Sequence, residues 1–472
     1  MHFAFLNPQG NFDAADSHLT EHPDFGGQLV YVKEVAQSLV DLGHRVDILT
    51  RLVDDPEWPE FSEPIATYPG YDEASLRIIR IPCGGPRFLA KERLWPRMPE
   101  FVDRVVRFYG DAPPDFATGH YADGGYCSAL LKAHLGIPFT FTGHSLGAQK
   151  LDKLGTTADN WPEMEERFRF SSRIAAERLS MEQASRIITS TEQERDEQYS
   201  HPLYQGAVDV SARERFSVIP PGVNMTVFTR EPNDGEADIL ARLAARVESD
   251  GPFVVVSSRL DEKKNIIGVV EAFARSETLR RNAELVLCIR GIDDIYGDLS
   301  ALSNDERAVL EPIVSLIVDA DMRDLVHHLN IQSQRDLAAT YRLFANRRSV
   351  FALTAFYEPF GLAPIEAAAC GLACVATKNG GPSEIFADGS GVLVDPFDPT
   401  DIANGLLRAL DQQRDLSDRG VERVLSTYTW QKTAENYYAV ARDVASPAER
   451  SGNNGIPLDS RERIEAYLSS RK

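Results

Sequence analysis

The sequence predicts an α/β protein with two doubly wound, parallel-sheet domains that face a cleft. Its 472 residues exceed what one hydrophobic core usually fills. Short, nearly continuous runs of Val, Leu and Ile alternate with helical segments, as in strands that helices cover on both faces. This alternation occurs twice, before and after a break at residues 220–222 (PPG). We therefore expect ligands where the strands end, in the cleft between the domains.

The first half of the chain, residues 1–222, predicts one Rossmann-like domain. It opens with a strand in HFAFLNP and a helix in LVYVKEVAQSLVDLG, whose apolar residues repeat at helical spacing and which stops at Gly43. Further strands are predicted in HRVDILTR, SLRIIRIP, IPFTFTG and SRIITSTE, and SVIPPGV closes this half.

The second half, residues 223–428, repeats the pattern and predicts a second Rossmann-like domain. Its strands are predicted in PFVVVSSRL, AELVLCIRG, LVHHLNI, SVFALTA, ACVATKN and GVLVDP. Residues 429–472 are predicted to supply a helix that returns to the first domain, followed by a polar, peripheral tail.

Composition narrows the classes of partner. With 50 Lys and Arg against 71 Asp and Glu, the net charge is −21, so we expect neither nucleic acid nor a membrane surface as a partner. No apolar run reaches ~18 residues, and the N-terminus lacks the basic start of a signal peptide. Five scattered cysteines predict reduced, mostly buried thiols in a cytoplasmic protein. Cys370 and Cys374 lie close together, but no second Cys or His pair completes a zinc site.

Two glycines stand directly before the first predicted helix. Gly26 and Gly27 leave the N–H groups of the helix start open to a ligand, and the helix dipole favours an anion there. An ordinary loop-to-helix turn explains the same pair of residues, so the motif alone does not establish a site.

A pair of cations follows the first strand of the second half. Arg259 ends VVVSSR, and Lys264 comes five residues later. Charges at the carboxyl end of a parallel strand suit a diphosphate, since charge-assisted hydrogen bonds contribute roughly 1.5–3 kcal/mol each. A solvated basic helix start is the alternative, and the acidity of the chain favours the functional interpretation.

Two carboxylates follow another buried strand in TAFYEPFGLAPIEAAACG. Glu358 lies in the loop, and Glu366 lies eight residues on, in a helix of small and apolar residues. A carboxylate in such a helix needs hydrogen-bond donors, which a sugar diol supplies in pairs. The alternative is that Glu366 binds a neighbouring backbone N–H or a basic side chain.

The segment GHSLG, residues 143–147, fits the nucleophile motif of serine hydrolases, G-x-S-x-G, after a predicted strand. Ser145 is therefore a candidate nucleophile. The polar, basic AQKLDKLG that follows is unlike the small residues expected after such a turn, and no Asp-then-His arrangement stands out. These features favour another role for the loop.

Taken together, FGGQLVYVKE, GHSLG, SRLDEKKN and E-P-F-G-x-x-x-x-E resemble the retaining glycosyltransferases of GT-B architecture. The segments NPQGNFD, HPDFGGQLVYVKE, FLAKERLW and ERFRFSSRIAAERL are similar to the sucrose-phosphate synthase family. The resemblance spans roughly residues 1–445. The sequence shows no counterpart of the phosphatase-like extension of some plant members, so a separate sugar phosphatase is expected to act downstream.

For the donor, the resemblance implies that the second domain binds a nucleotide sugar. Arg259 and Lys264 would hold its diphosphate, and Glu366 its ribose hydroxyls. Glu358 would hold the transferred hexose together with N–H groups of the loop that follows, those of Phe360, Gly361 and Leu362. The remaining contacts are expected from the first domain: His144 on the transferred sugar, with Gly26 and Gly27 beside the donor.

For the acceptor, the resemblance implies a sugar phosphate in the first domain. Gln28 would lie where donor and acceptor meet, and Lys91, Lys150 and Arg173 would bind the phosphate. Spacing alone does not choose between Arg173 and its neighbours Arg167 and Arg169.

The implied reaction moves glucose from a nucleoside diphosphate glucose, expected to be UDP-glucose, to fructose 6-phosphate, giving sucrose 6-phosphate. Because no carboxylate is an obvious nucleophile, we expect same-face attack by the acceptor hydroxyl. No metal is required, since the cations lie in the protein; stimulation by Mg²⁺ is left open, and the acidic residues 291–298 are interpreted as a solvated loop. The alternatives are a mannosylfructose-phosphate synthase that uses GDP-mannose and, more distantly, a serine hydrolase that uses Ser145.

Overall fold

The computed structural model describes residues 1–18, 25, 27–247, 249–444 and 458–471. The chain divides into two compact units. The first comprises Met1–Pro221 and Trp430–Lys472, and the second comprises Gly222–Thr429.

The first unit is built around an eight-stranded sheet of order β3-β4-β2-β1-β5-β6-β7-β8. Its strands are His2–Leu6 (β1), Arg45–Arg51 (β2), Ile65–Ala66 (β3), Leu76–Ile81 (β4), Phe116–His120 (β5), Phe139–Thr142 (β6), Arg186–Thr189 (β7) and Phe216–Val218 (β8). All neighbouring strands run parallel except β3, which pairs antiparallel with β4. The expected parallel sheet therefore has one antiparallel edge strand, because nine residues between β3 and β4 are too few for a parallel crossover.

Six helices of the first unit lie between these strands. They are Gly27–Asp41 (α1), Met98–Tyr109 (α2), Tyr121–Leu135 (α3), Gly147–Lys153 (α4), Trp161–Phe168 (α5) and Phe170–Gln183 (α6). Side chains of β1 alternate between two apolar clusters: Phe3 and Phe5 belong to the cluster on the α1 side, and Ala4 and Leu6 to the cluster with α2, α3 and α6. The sheet is thus covered on both faces, as the sequence predicts.

The second unit has a six-stranded, wholly parallel sheet of order β11-β10-β9-β12-β13-β14. Its strands are Phe253–Ser257 (β9), Glu284–Cys288 (β10), Val326–Leu329 (β11), Val350–Leu353 (β12), Ala373–Thr377 (β13) and Val392–Val394 (β14). Each lies in one of the six segments predicted as strands. The helices are Ala237–Ala244 (α7), Ile266–Arg275 (α8), Glu277–Asn282 (α9), Asn304–Asp319 (α10), Gln334–Asn346 (α11), Leu362–Ala369 (α12), Gly381–Ile385 (α13), Pro399–Asp411 (α14) and Gln413–Thr427 (α15).

The last two helices, Trp430–Val444 (α16) and Arg461–Ser470 (α17), belong to the first unit. On α16, Tyr437 accepts a hydrogen bond from the hydroxyl of Tyr31 on α1 at 3.3 Å. On α17, Ile464 and Leu468 are buried in the cluster that contains α6. Residues 458–471 are mostly exposed, as expected of a polar tail, but the i,i+4 spacing of these two apolar residues gives the helix one buried face.

Two further expectations concern side chains and hydropathy. All five cysteines are free and buried, which confirms that they are unpaired thiols. None of the helices in the described parts of the chain is long and apolar enough to cross a membrane.

Candidate active site

The GHSLG loop begins where β6 ends, and it places His144 against a second histidine. His144 Nε2 lies 2.9 Å from Nδ1 of His120, the last residue of the neighbouring strand β5. The ring of Tyr31 meets His144 edge-on, with centroids 4.9 Å apart. Burial lowers the pKa of His144 to about 3, so this imidazole is neutral at physiological pH.

Ser145 does not have the surroundings of a nucleophile. In this loop the residue with a left-handed backbone is His144, at φ 54°, and not the serine. Among the described residues no histidine hydrogen-bonds the hydroxyl of Ser145. The ring of His201 is engaged elsewhere: its Nε2 lies 3.1 Å from Asp152, and its Nδ1 caps a short helical turn. The loop therefore presents an imidazole and no activated serine.

One cavity of the first unit, of about 210 Å³, brings together the four side chains expected to bind the acceptor. They come from four different elements: Gln28 from α1, Lys91 from a short helical turn, Lys150 from α4 and Arg173 from α6. Neither Arg167 nor Arg169 lines the cavity. Their roles as ligands stay a prediction, but the structure gathers this set of residues around one small space.

A buried carboxylate orients Arg173. Glu177, one helical turn later, has no exposed side-chain surface and accepts a 3.0 Å hydrogen bond from Nε of Arg173. The same carboxylate accepts the N–H of Gly147 at 2.8 Å and the hydroxyl of Tyr204. Arg173 also donates through Nη2 to the backbone oxygen of Ser145, so its guanidinium links α6 to the GHSLG loop.

Lys150 is the most perturbed cation of this cavity. Its ammonium lies 4.5 Å from the centre of the Phe168 ring. Burial, followed by repulsion from Arg173 and Lys91, lowers the pKa of Lys150 to about 8. Three cations that repel one another in a small space favour a ligand of negative charge, because an anion relieves the repulsion.

The cavity also contains an acid that sequence analysis missed. Asp123, in the first turn of α3, lines it and accepts the backbone N–H of Gln9 at 3.1 Å. Burial raises the pKa of Asp123 to about 6. In the sequence, the only indication of this residue is that HYADGG places a carboxylate just after a strand. The folded structure is needed to show that Asp123 lines the same cavity as the three cations. Asp123 is suited to accept a hydroxyl of a sugar bound beside the phosphate.

The glycine pair before α1 is only partly described. Gly26 lies outside the described residues, so its predicted role stays untested. Gly27 is the first residue of α1, and a Cβ added there would meet no atom within 4 Å. Among the described residues, packing therefore does not require glycine at this position.

In the second unit, Lys264 and Glu358 form an ion pair of 2.6 Å between the loops that follow β9 and β12. The loop of Lys264 is fixed by the next residue, Asn265, whose backbone is left-handed at φ 50°. The amide of Asn265 donates to the oxygens of Thr354 and Pro396 at 3.0 and 2.8 Å. Two predicted donor-binding residues are thus in direct contact, at the carboxyl edge of the parallel sheet.

The loop from Glu358 to Gly361 packs against a second glycine pair that sequence analysis missed. A Cβ at Gly380 would lie 2.0 Å from the backbone oxygen of Glu358, and one at Gly381 equally close to that of Phe360. Only glycines permit this approach. This loop leads directly into α12. No hydrogen-bond acceptor for the backbone N–H groups of Phe360, Gly361 and Leu362 is found in the described part of the chain.

Glu366 lies in the middle of α12 and is half-buried. Burial raises the pKa of its carboxyl to about 7. No hydrogen bond to this carboxylate occurs among the described residues. The alternative interpretation, in which Glu366 binds a neighbouring backbone N–H or a basic side chain, is therefore not supported. A desolvated carboxylate without a protein partner is suited to the paired hydroxyls of a ligand.

Arg259 is exposed and lines an open cavity of about 870 Å³ together with Asn265 and Phe356. No hydrogen bond or ion pair of its guanidinium is found within the described residues. Neither Arg259 nor Glu366 forms a hydrogen bond or ion pair with Lys264 or Glu358, so the four residues predicted to bind the donor follow strand ends of one sheet without being joined to one another.

The structure also bears on metal ligands. The described residues contain no group of three or more His, Cys, Asp or Glu arranged to hold a metal ion. In residues 291–298, Asp294 and Asp298 accept N–H groups of their own turns at 2.9 and 2.8 Å, and Asp293 accepts the amide of Asn330. These carboxylates thus cap loop structure.

Comparison with protein families assigns both halves of the chain to glycosyltransferases. Residues 242–423 match the family model "Glycosyl transferases group 1", and residues 26–210 match "Glycosyl transferase 4-like domain". Two parallel-sheet α/β units with these matches define the class: the protein is a glycosyltransferase of GT-B architecture.

Comparison with curated proteins gives the family. The chain is 44% identical to a probable sucrose-phosphate synthase of Thermosipho melanesiensis, over 93% of this chain and 95% of that protein. It is 33% identical to the sucrose-phosphate synthase of Spinacia oleracea over 93% of this chain, which spans 47% of the plant protein. The chain belongs to the sucrose-phosphate synthase family, and it is an enzyme, a hexosyltransferase.

Solved structures agree at the level of the fold. A sucrose-phosphate synthase from Thermosynechococcus elongatus superposes with a TM-score of 0.62 at 24% identity, covering 94% of this chain and 99% of that one. HepE from Anabaena, solved with UDP and glucose, gives 0.55 at 15% identity, covering 94% and 100%. Both share the fold with this protein.

Proposed function

We propose that this enzyme transfers glucose from a nucleoside diphosphate glucose, UDP-glucose, to fructose 6-phosphate, giving sucrose 6-phosphate. One observation carries the proposal: Lys91, Lys150 and Arg173 line a single cavity with Gln28 in a chain of net charge −21. Such a local cluster is what a phosphorylated acceptor needs to overcome the repulsion of the whole molecule. The names of its relatives agree with this acceptor class.

The donor would bind at the carboxyl edge of the second sheet. Arg259 and Lys264 would hold the diphosphate, while Glu366 accepts the ribose hydroxyls. Lys264 would exchange Glu358 for a phosphate oxygen, and this exchange leaves Glu358 to accept hydroxyls of the hexose. The open N–H groups at the start of α12 would bind the hexose or the phosphate beside it.

In the reaction, the bond between the anomeric carbon and the phosphate oxygen breaks with positive charge on the sugar and negative charge on the phosphate. Arg259 and Lys264 stabilise the leaving phosphate through fixed electrostatics. The acceptor hydroxyl attacks from the same face, and its proton passes to the leaving phosphate oxygen, so that configuration is retained. Neutral His144 does not repel the charge that develops on the sugar.

Three consequences belong to this proposal. The protein's own cations neutralise the diphosphate, so the reaction requires no metal, and activity survives dialysis against EDTA. The five buried, free cysteines suit a cytoplasmic enzyme. The phosphorylated product would be the substrate of a separate sugar phosphatase.

A matrix of donors and acceptors tests the proposal. UDP-glucose, ADP-glucose and GDP-mannose are each incubated with fructose 6-phosphate or fructose, and products are identified by mass spectrometry and NMR. We expect sucrose 6-phosphate from a glucose donor, with UDP-glucose preferred. Product from GDP-mannose alone would replace the proposal by the mannosylfructose-phosphate alternative, and equal use of fructose would reject the phosphorylated acceptor.

A further inference from the structure

A chain of hydrogen bonds runs from strand β6 through β5 to His144. Thr140 donates through its hydroxyl to the hydroxyl of Thr118 at 3.0 Å. The Thr118 hydroxyl lies 3.2 Å from Nε2 of His120, and Nδ1 of His120 lies 2.9 Å from Nε2 of His144. Both threonines and His120 are buried, so water does not compete for these bonds.

Both imidazoles are neutral, so each carries one proton. Burial lowers the pKa of His144 to about 3, and burial, followed by the neighbouring His144, lowers that of His120 well below its usual range. His120 is stacked on Phe5 at 5.5 Å and on His144 at 5.2 Å, in surroundings that do not solvate a charge. One of these two protons lies between the rings, and the ring that accepts it must carry its own proton on the nitrogen that faces away from its partner.

The hydrogen bonds of Thr118 allow both arrangements. Thr118 accepts from Thr140, and in the first arrangement its own hydrogen goes to Nε2 of His120. His120 then carries its proton on Nδ1 and donates to Nε2 of His144, which leaves the proton of His144 on Nδ1. In the reverse arrangement, Thr118 gives its hydrogen to the hydroxyl of Tyr437, which accepts from Tyr31 and lies 2.8 Å from the hydroxyl of Thr142. Only the first arrangement gives His144 a donor on the nitrogen that faces away from His120.

We propose that His120 is a positioning residue that fixes the tautomer of His144, so that His144 presents an Nδ1–H donor to the transferred hexose. The role in turnover rests on the proposed transfer reaction; the tautomer itself does not. A donor at this position binds a sugar hydroxyl through its oxygen, and it stays neutral as positive charge develops at the anomeric carbon. A protonated or wrongly oriented ring would lose one of these two properties.

Selective ¹⁵N labelling of the ten histidines tests the tautomer directly. Long-range ¹H–¹⁵N correlation spectra distinguish a proton on Nδ1 from one on Nε2, and His144→Gln assigns the His144 signals. We expect Nδ1–H for both His120 and His144 in the wild type. A proton on Nε2 of His144 overturns the proposal, whatever the activity of the enzyme.

Variants of His120 test whether the tautomer matters for turnover. The amide of His120→Asn lies where Nδ1 lay and donates to His144, so we expect the Nδ1–H signal of His144 and most of kcat to remain. His120→Ala removes the donor: the spectrum of His144 then shows both tautomers, and kcat falls about tenfold with the acceptor KM little changed.

The control is Thr140→Val, which removes the outermost hydrogen bond of the chain and leaves both imidazoles in place. Melting curves identify variants that fail to fold. A folded His120→Ala that loses activity while His144 keeps pure Nδ1–H would overturn the positioning role. A wild type with the expected spectrum but no transferase activity would reject the proposed function and leave the tautomer assignment standing.

Discussion

At the scale of single residues, burial moves charged groups toward their neutral forms where a ligand is expected. The pKa of Lys150 falls to about 8, and that of Glu366 rises to about 7. His144 is kept neutral by the same effect. A bound phosphate favours the charged form of Lys150, and bound hydroxyls favour that of Glu366, so ligand binding and protonation are coupled at both positions.

Ser145→Ala is expected to keep most transferase activity, whereas His144→Ala loses about a hundredfold or more in kcat. The reason is that the proposed role of the loop is to supply an imidazole to the sugar, while no base contacts the hydroxyl of Ser145 among the described residues. Steady-state rates of the two folded variants decide the question. If the loss of the Ser145 hydroxyl alone abolishes turnover, the interpretation of this loop is wrong.

Arg259→Ala and Lys264→Ala are expected to lower kcat by roughly ten- to a hundredfold, with a smaller change in the donor KM. Their charges gain value as the phosphate leaves, so the effect belongs to the transition state. Lys263→Ala, at an exposed position of the same turn, is the matched control. A raised donor KM with intact kcat in both variants would contradict this role.

The affinity for UDP is expected to fall about tenfold between pH 8 and pH 6. The pKa of Glu366 is raised to about 7, so the carboxylate that we propose accepts the ribose hydroxyls is ionised above this value and becomes protonated as the pH falls below it. Isothermal titration calorimetry measures the profile. Glu366→Gln should bind weakly at every pH, and an unchanged pH dependence in this variant would refute the assignment.

At the scale of elements, the sequence predicts strands well where apolar residues are continuous. It predicts them poorly where a strand with few apolar residues is held by hydrogen bonds to its neighbouring strands. All six strands of the second sheet lie in the predicted Val- and Leu-rich runs. Strand β5 was missed because FATGH is short and contains few apolar residues; it is held by pairing with β1 and β6. A Cβ at Gly119 would lie 2.6 Å from the backbone oxygen of Gly124, so glycine in this strand permits the approach of α3.

The candidate site shows the same limit. Charged residues after strand ends were predictable, because parallel strands place their carboxyl ends at one edge. Asp123 and His120 were not, since their partners, Gln9 and His144, are distant in sequence. Glu177 lies only one helical turn from Arg173, but its contact with Gly147 joins α6 to α4. Such partners are set by packing between helices and strands, which no local spacing encodes.

Helix α17 gives a prediction at this scale. Ile464→Ala is expected to lower the free energy of unfolding by about 2–5 kcal/mol, because the side chain is fully buried between α17 and the rest of the first unit. Urea denaturation measures the change, and Arg463→Ala, at an exposed neighbouring position, is the control. Equal stability of the two variants would show that α17 does not contribute to the core.

At the scale of the whole molecule, the central feature is a local reversal of charge. The chain carries −21, yet three cations meet in one cavity of the first unit, where repulsion among them contributes to the lowered pKa of Lys150. The cationic cluster raises the free energy of the empty protein, and a dianionic sugar phosphate offsets that cost. The second unit carries its own cations after β9, Arg259 and Lys264, which we propose bind a different anion, the diphosphate of the donor.

The most direct test is the ratio of kcat/KM for fructose 6-phosphate to that for fructose, measured with the preferred donor. We predict a ratio above about 100 for the wild type, reduced roughly ten- to a hundredfold by Lys150→Ala or Arg173→Ala. Arg93→Ala, an exposed cation beside Lys91, should leave the ratio unchanged. A wild type that uses fructose and fructose 6-phosphate equally well would contradict the account.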